Sequence, residues 1–217
     1  MRNAAEPSTT LWERWDADTR AADQADSSRN HIMFGSVSSF LWKYVAGLSA
    51  AVPGWKQVNI APSFGETCSA SDTATVHMSI GLRGHNSYTR GSGNGISVDE
   101  GSGSEKKSPL AAVDATLLTA AGTFTVWWEL LAASATARIN ATIPEGASAG
   151  DHTIVVPCVS PTAVVREGSA IVWQHNRFDP TASIRVVSAI RLASPSMSVS
   201  FRVQQSGAYH FERTGGT

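Results

Sequence analysis

The sequence predicts a mainly β protein: an antiparallel, jelly-roll-like β-sandwich preceded by one or two helices. Three observations carry this. Apolar residues recur at three- and four-residue intervals from Phe34 to Leu48, the period of an amphipathic helix. After Pro53-Gly54 the period changes to two, as in strands that bury one face. Turn-forming Gly, Pro, Ser and Asp separate most of the alternating runs, which suits an antiparallel sandwich better than a fold of alternating helices and parallel strands.

In chain order, the helical stripe comprises Phe34, Val37, Leu41, Tyr44, Val45 and Leu48. Gly47 and Pro53 are stop signals, so the helix is predicted to end near Gly47 or Leu48. Strands are predicted around Val58 and Ile60, at Val76 to Leu82, and at Phe124 to Leu130. Others follow at Ile139 to Ile143, Ile154 to Val156, Ile171 to Trp173, and Val199 to Val203. Pro144-Glu145-Gly146 and Arg166-Glu167-Gly168-Ser169 read as turns. The expected division is a helical segment over 1–52 and a sandwich over 53–217. Within the sandwich, residues 83–107 are rich in Gly, Ser and charge, and are read as a flexible insertion.

Composition narrows the function classes. Of 217 residues, 42% are hydrophobic and 16% charged, enough apolar material for a core and too little charge for a disordered chain. The formal net charge is −1 and the only basic cluster is Lys106-Lys107, so neither a nucleic acid nor an anionic membrane is expected as partner. No apolar run reaches the roughly 18 to 20 residues that span a bilayer, and no signal peptide is recognisable at the start, so a soluble protein is expected. Cys68 and Cys158 are too few for a disulfide framework or a zinc site, although they could form one bridge; no metal and no cofactor is expected. Asn140-Ala141-Thr142 is a glycosylation sequon, a pattern that also arises by chance.

Candidate chemistry lies near the start. Thr9-Thr10-Leu11-Trp12-Glu13-Arg14-Trp15-Asp16 sets two tryptophans around a Glu-Arg pair. Aromatic faces beside a carboxylate suit a sugar, whose C–H faces stack on the rings while the carboxylate takes a hydroxyl or a water. The bland alternative is a capping box, with Glu13 reaching back to a free N–H at a helix start and Trp12 and Trp15 as core residues. His31, before the helix, suits either a structural role or a hydrogen bond to a sugar hydroxyl. Asp16, Asp18, Asp23 and Asp26 lack calcium-loop spacing and read as a solvated connector. His175 reads as a loop tip.

Three motifs in order narrow the choice. These are Thr9 to Asp16; Asn30-His31-x-x-Phe34-Gly35-Ser36-Val37-x-x-Phe40-Leu41-Trp42 with Val45-Ala46-Gly47-Leu48; and Pro53-Gly54-Trp55-Lys56-Gln57-Val58-Asn59-Ile60-Ala61-Pro62. Together they resemble the closing segments of the catalytic α/α barrel of glycoside hydrolase family 78 α-L-rhamnosidases and the exit to their C-terminal sandwich. Gly122 to Leu130, Ala137 to Pro144 and Val199 to Phe211 resemble strands of that sandwich, and 83–107 departs from it.

The resemblance implies an inverting hydrolase that releases terminal α-L-rhamnose from glycosides or polysaccharides. Glu13 takes the place of the general base and His31 that of a rhamnose contact, with Trp12 and Trp15 as further substrate-binding residues. No segment matches the family's general acid. The chain is therefore expected to begin inside a longer protein, to need a missing upstream barrel domain, and to be inactive alone. The reading from another class is a non-catalytic carbohydrate-binding or structural β-sandwich module.

Overall fold

The computed structural model describes residues 12–14, 28, 30–62, 76–79, 110–131, 136–147, 150–192 and 197–215. The insertion expected at 83–107 lies outside them. The chain divides into two compact units, residues 1–41 and 42–217.

One continuous helical segment is described over 32–45. It begins as a 3₁₀ turn (Ile32–Gly35), continues as α-helix (Ser36–Phe40) and widens into a π turn (Leu41–Val45). Widening changes which side chains share a face. Trp42 and Val45 pack against the core, whereas Tyr44, expected on the apolar stripe, is half exposed. The segment stops at Gly47, at φ +79°, as the sequence predicts. A Cβ there would fall inside the backbone of Ala61 and Pro62, so only glycine permits this approach.

Beyond it lies a two-sheet sandwich. Strands β1 (Leu48–Ala50), β2 (Val58–Ile60), β7 (His152–Val156), β12 (Val199–Val203) and β11 (Val186–Arg191) form a five-stranded sheet in the order β1-β2-β7-β12-β11. The eight-stranded sheet runs β10-β9-β8-β13-β6-β5-β4-β3. Its members are β3 (Val76–Ser79), β4 (Leu110–Thr119), β5 (Gly122–Leu131), β6 (Thr136–Ile143), β8 (Val164–Glu167), β9 (Ala170–Gln174), β10 (Arg177–Phe178) and β13 (Gly207–Thr214). Pairing is antiparallel apart from β2 with β7 and β3 with β4. The first strand thus lies upstream of Pro53, where the alternation in the sequence begins.

Period two explains the core. On β5, Phe124, Val126 and Trp128 are buried; Ile139, Ala141 and Ile143 on β6 and Tyr209 and Phe211 on β13 complete that inner face. Ile60, Ile154, Val156, Val199, Phe201 and Val203 oppose them from the other sheet. Phe201 meets Phe211 across the interior with ring centroids 5.0 Å apart, and Trp173 meets Phe201 edge-on at 6.4 Å. Burying side chains of this size contributes about 1.5–3 kcal/mol each.

Three polar side chains inside the sandwich are tied to backbone. The Trp128 indole N–H donates to Val45 O at 3.0 Å, satisfying a carbonyl at the end of the helical segment. The buried His152 ring accepts the Val58 N–H at Nδ1 (3.4 Å) and so bridges β2 and β7. The Tyr209 hydroxyl donates to Gln205 O (2.6 Å) and accepts from Gln205 N (3.2 Å), bracing the turn into β13, and burial raises its phenol pKa above the ordinary value. Cys158 is disulfide-bonded; Cys68, the other cysteine, lies outside the described residues.

Two substitutions test this framework. Tyr209→Phe should lower stability by about 0.5–1.5 kcal/mol, read from a urea midpoint with unchanged slope. Gly47→Ala combines positive φ with a backbone clash and should cost more than Tyr209→Phe, on the order of 1–3 kcal/mol; an equal or smaller loss would show that the chain yields there easily.

Candidate functional site

In the first unit, the chemistry-bearing residues occur in two short stretches that the fold brings together. Glu13 stands in irregular backbone, between Trp12 and Arg14, not in the first turn of a helix. Its N–H donates to Ser28 O at 2.9 Å, and the Ser28 N–H donates to Glu13 Oε2 at 2.9 Å. This two-bond clasp joins positions fifteen residues apart. The Ser28 hydroxyl in turn accepts the Asn30 N–H at 3.2 Å, turning the chain toward the helical segment.

His31 follows at once, and its Nδ1 lies 3.8 Å from Glu13 Oε2. Side-chain exposure is 21% for His31 and 42% for Glu13, so the carboxylate opens to solvent while the imidazole is largely enclosed. Oε2 takes the clasp and faces the imidazole; among the described residues Oε1 accepts no hydrogen bond. A carboxylate fixed through one oxygen and 42% exposed can accept a proton from a water or hydroxyl placed against it.

Among the described residues the N–H that the Glu13 carboxylate accepts belongs to Ser28, downstream; Thr10, the partner in the capping-box alternative, lies outside them. Trp12 is partly buried beside Glu13 in the sequence; Trp15 lies outside the described residues, as do Asp16, Asp18, Asp23 and Asp26. His175 and Asn176, at φ +51° and +60°, form the tip of the β9–β10 hairpin, where paired left-handed residues suit the strand twist. Asn140, in the sequon, lies in mid-strand with its side chain bonded to His210 at 3.0 Å. The Ser28 clasp left no trace in the sequence, because Ser28 enters it only through backbone atoms that every residue carries.

Comparison with known proteins bears on the same stretch. Residues 1–45 match the family model of the bacterial α-L-rhamnosidase six-hairpin glycosidase domain. An α-L-rhamnosidase of Streptomyces avermitilis is 37% identical over 81 residues, which are 35% of this chain and 8% of that protein. The α-L-rhamnosidase structure from Dictyoglumus thermophilum superimposes with TM-score 0.55 at 21% identity, covering 96% of this chain and 16% of that one. A Streptomyces avermitilis α-L-rhamnosidase solved with L-rhamnose aligns with TM-score 0.48 at 18% identity, over 94% of this chain and 14% of its own. The chain thus spans a small fraction of each protein it matches.

The clasp has a direct signature. Glu13→Ala should speed hydrogen exchange of the Ser28 amide on the order of tenfold, whereas Glu13→Gln, whose amide oxygen still accepts, should largely preserve protection. Unchanged Ser28 protection in Glu13→Ala would mean that the carboxylate does not hold this loop.

Proposed function

We propose, on the premise that this chain is kin to the C-terminal part of the family 78 α-L-rhamnosidases, that it supplies the general-base side of an inverting hydrolysis of terminal α-L-rhamnosides. The observation that carries the reading is the convergence of Glu13 and His31 at 3.8 Å, with the Glu13 carboxylate held by the Ser28 N–H. Inverting hydrolysis needs a carboxylic acid to protonate the leaving oxygen and, on the opposite face, a carboxylate to activate water; the two commonly stand about 6.5–9.5 Å apart. Glu13 is the second of these. Its exposed oxygen takes the proton of the attacking water, and the clasp fixes the angle from which it does so.

His31 then serves the sugar. With one ring nitrogen toward Glu13, the imidazole is oriented to hydrogen-bond a rhamnose hydroxyl through the other, and Trp12 and Trp15 offer faces for stacking. The general acid and the remaining wall of the pocket belong to an upstream barrel. By itself the chain therefore binds the aryl α-L-rhamnoside weakly and does not turn it over.

A graft tests the proposal. The matched segment of the Streptomyces avermitilis relative is replaced by that of this chain, and hydrolysis of an aryl α-L-rhamnoside is followed. The graft should be active and the isolated chain inactive. Glu13→Gln in the graft should lower kcat by about 10²–10⁴ with little change in KM, because the amide keeps the shape but cannot take the proton. His31→Ala should chiefly raise KM. Azide added to Glu13→Ala should yield a rhamnosyl azide of inverted configuration; near-normal turnover by Glu13→Gln would remove Glu13 from the base role.

A further inference from the structure

The outer face of the eight-stranded sheet carries a row of polar side chains around one tryptophan. Strand pairing aligns Asp114 (β4), Trp127 (β5), Asn140 (β6) and His210 (β13) in one row across four strands. At about 4.8 Å per strand the row is roughly 14 Å long. Trp127 and Trp128 are neighbours in sequence and point to opposite faces: Trp128 is fully buried, while Trp127 stays partly exposed on the outside.

The polar groups around that indole are only half used. His210 Nδ1 and Asn140 Oδ1 are 3.0 Å apart, and with the amide so oriented the imidazole nitrogen donates. This leaves His210 Nε2 as an acceptor and the Asn140 NH₂ as a donor, on the strands to one side of Trp127. The exposed Asp114 carboxylate, opposite Trp127 on β4, offers acceptors on the other side. One border of the row is an ion ladder: Arg138 lies 2.8 Å from Glu212 and 3.7 Å from Glu129. The other border carries the hydroxyl residues Thr116, Thr125 and Thr142.

We infer that this face is a carbohydrate-binding surface, with a neutral pyranose stacked on Trp127 and its hydroxyls held by Asp114 and the Asn140–His210 pair. An apolar ring face bordered by separate donors and acceptors matches a sugar, which presents C–H groups on one side and vicinal hydroxyls round its rim. The charges select among ligands. Glu129 and Glu212 are balanced by Arg138 and by Arg166, which lies beside Glu212 on β8, so the Asp114 carboxylate beside the ring is the unbalanced charge and disfavours an anionic ligand. A packed protein domain would need a broader apolar surface; beside Trp127 this row and its borders offer Ala208, while Ala112 is buried. The site is separate from Glu13 and His31 and does not depend on the role proposed for them.

The test uses the full chain and its indole N–H resonances, seven in number. Methyl α-L-rhamnopyranoside, methyl β-D-galactopyranoside and methyl β-D-glucopyranoside are titrated separately, with D-galacturonate as the anionic comparison. At least one neutral glycoside should shift the Trp127 signal saturably with Kd on the order of 1 mM, as suits a shallow single subsite. Trp127→Thr, kept folded as judged by circular dichroism, should abolish saturation, and Asp114→Asn should weaken binding several-fold. His31→Ala should leave it unchanged, which separates this surface from the site at Glu13. Saturable binding that survives in folded Trp127→Thr, tighter binding of galacturonate, or no saturable shift with any neutral glycoside would each overturn the inference.

Discussion

The hydrogen bond from the Trp128 indole to Val45 O is the constraint on which the second unit depends. Trp128 sits in the middle of β5, fully buried, and could not lie there with an unsatisfied N–H at an acceptable cost. Its acceptor is a carbonyl at the end of the helical segment, which needs a partner for the same reason. One bond thus answers two orphaned groups and fixes where the helical segment stops. Gly47 turns the chain immediately afterwards, and Ala61 donates its N–H to Gly47 O at 2.8 Å, so exit and return are pinned together. Every strand of the five-stranded sheet is laid down from that fixed start.

How far this was legible in the sequence depended on how asymmetric each strand's surroundings are. β5, β6, β7 and β12 each have one face in the core and one nearer solvent, so their periods stand out in the letters. β4 does not, because its buried positions include Ala112 and Ala115 and its outward face includes the exposed Leu118. β1 has three residues, too short to show any period, and reads as the tail of the preceding helix. Tyr44 shows the same limit on the helical side: a π turn alters the angular step, which a fixed three-to-four spacing cannot anticipate.

The candidate site was legible by another route. Nothing in spacing joins Glu13 to His31; only the resemblance of both motifs to one family named them together, and the fold sets their side chains 3.8 Å apart. The capping-box alternative fitted the letters because a carboxylate accepts an N–H equally well from either direction along the chain. Tertiary structure chose Ser28. The Trp127–Asn140–His210 row was hidden for a related reason: its members are separated by 13 and 70 residues and meet only through strand register.

The pairing of β2 with β7 has a consequence in time. Val58 is bonded to His152, 94 residues later, and β7 is held on its other side by β12, which is later still. Contacts so distant in sequence are slow to form, because a long loop must close before any of its contacts can repay the lost freedom. During synthesis β2 must wait for β7, and β7 for β12, before the five-stranded sheet can close. The anchors of Val45 and Gly47, the Trp128 indole and the Ala61 N–H, come earlier in the chain than β7 and β12, so the end of the helical segment can be fixed before the five-stranded sheet is complete.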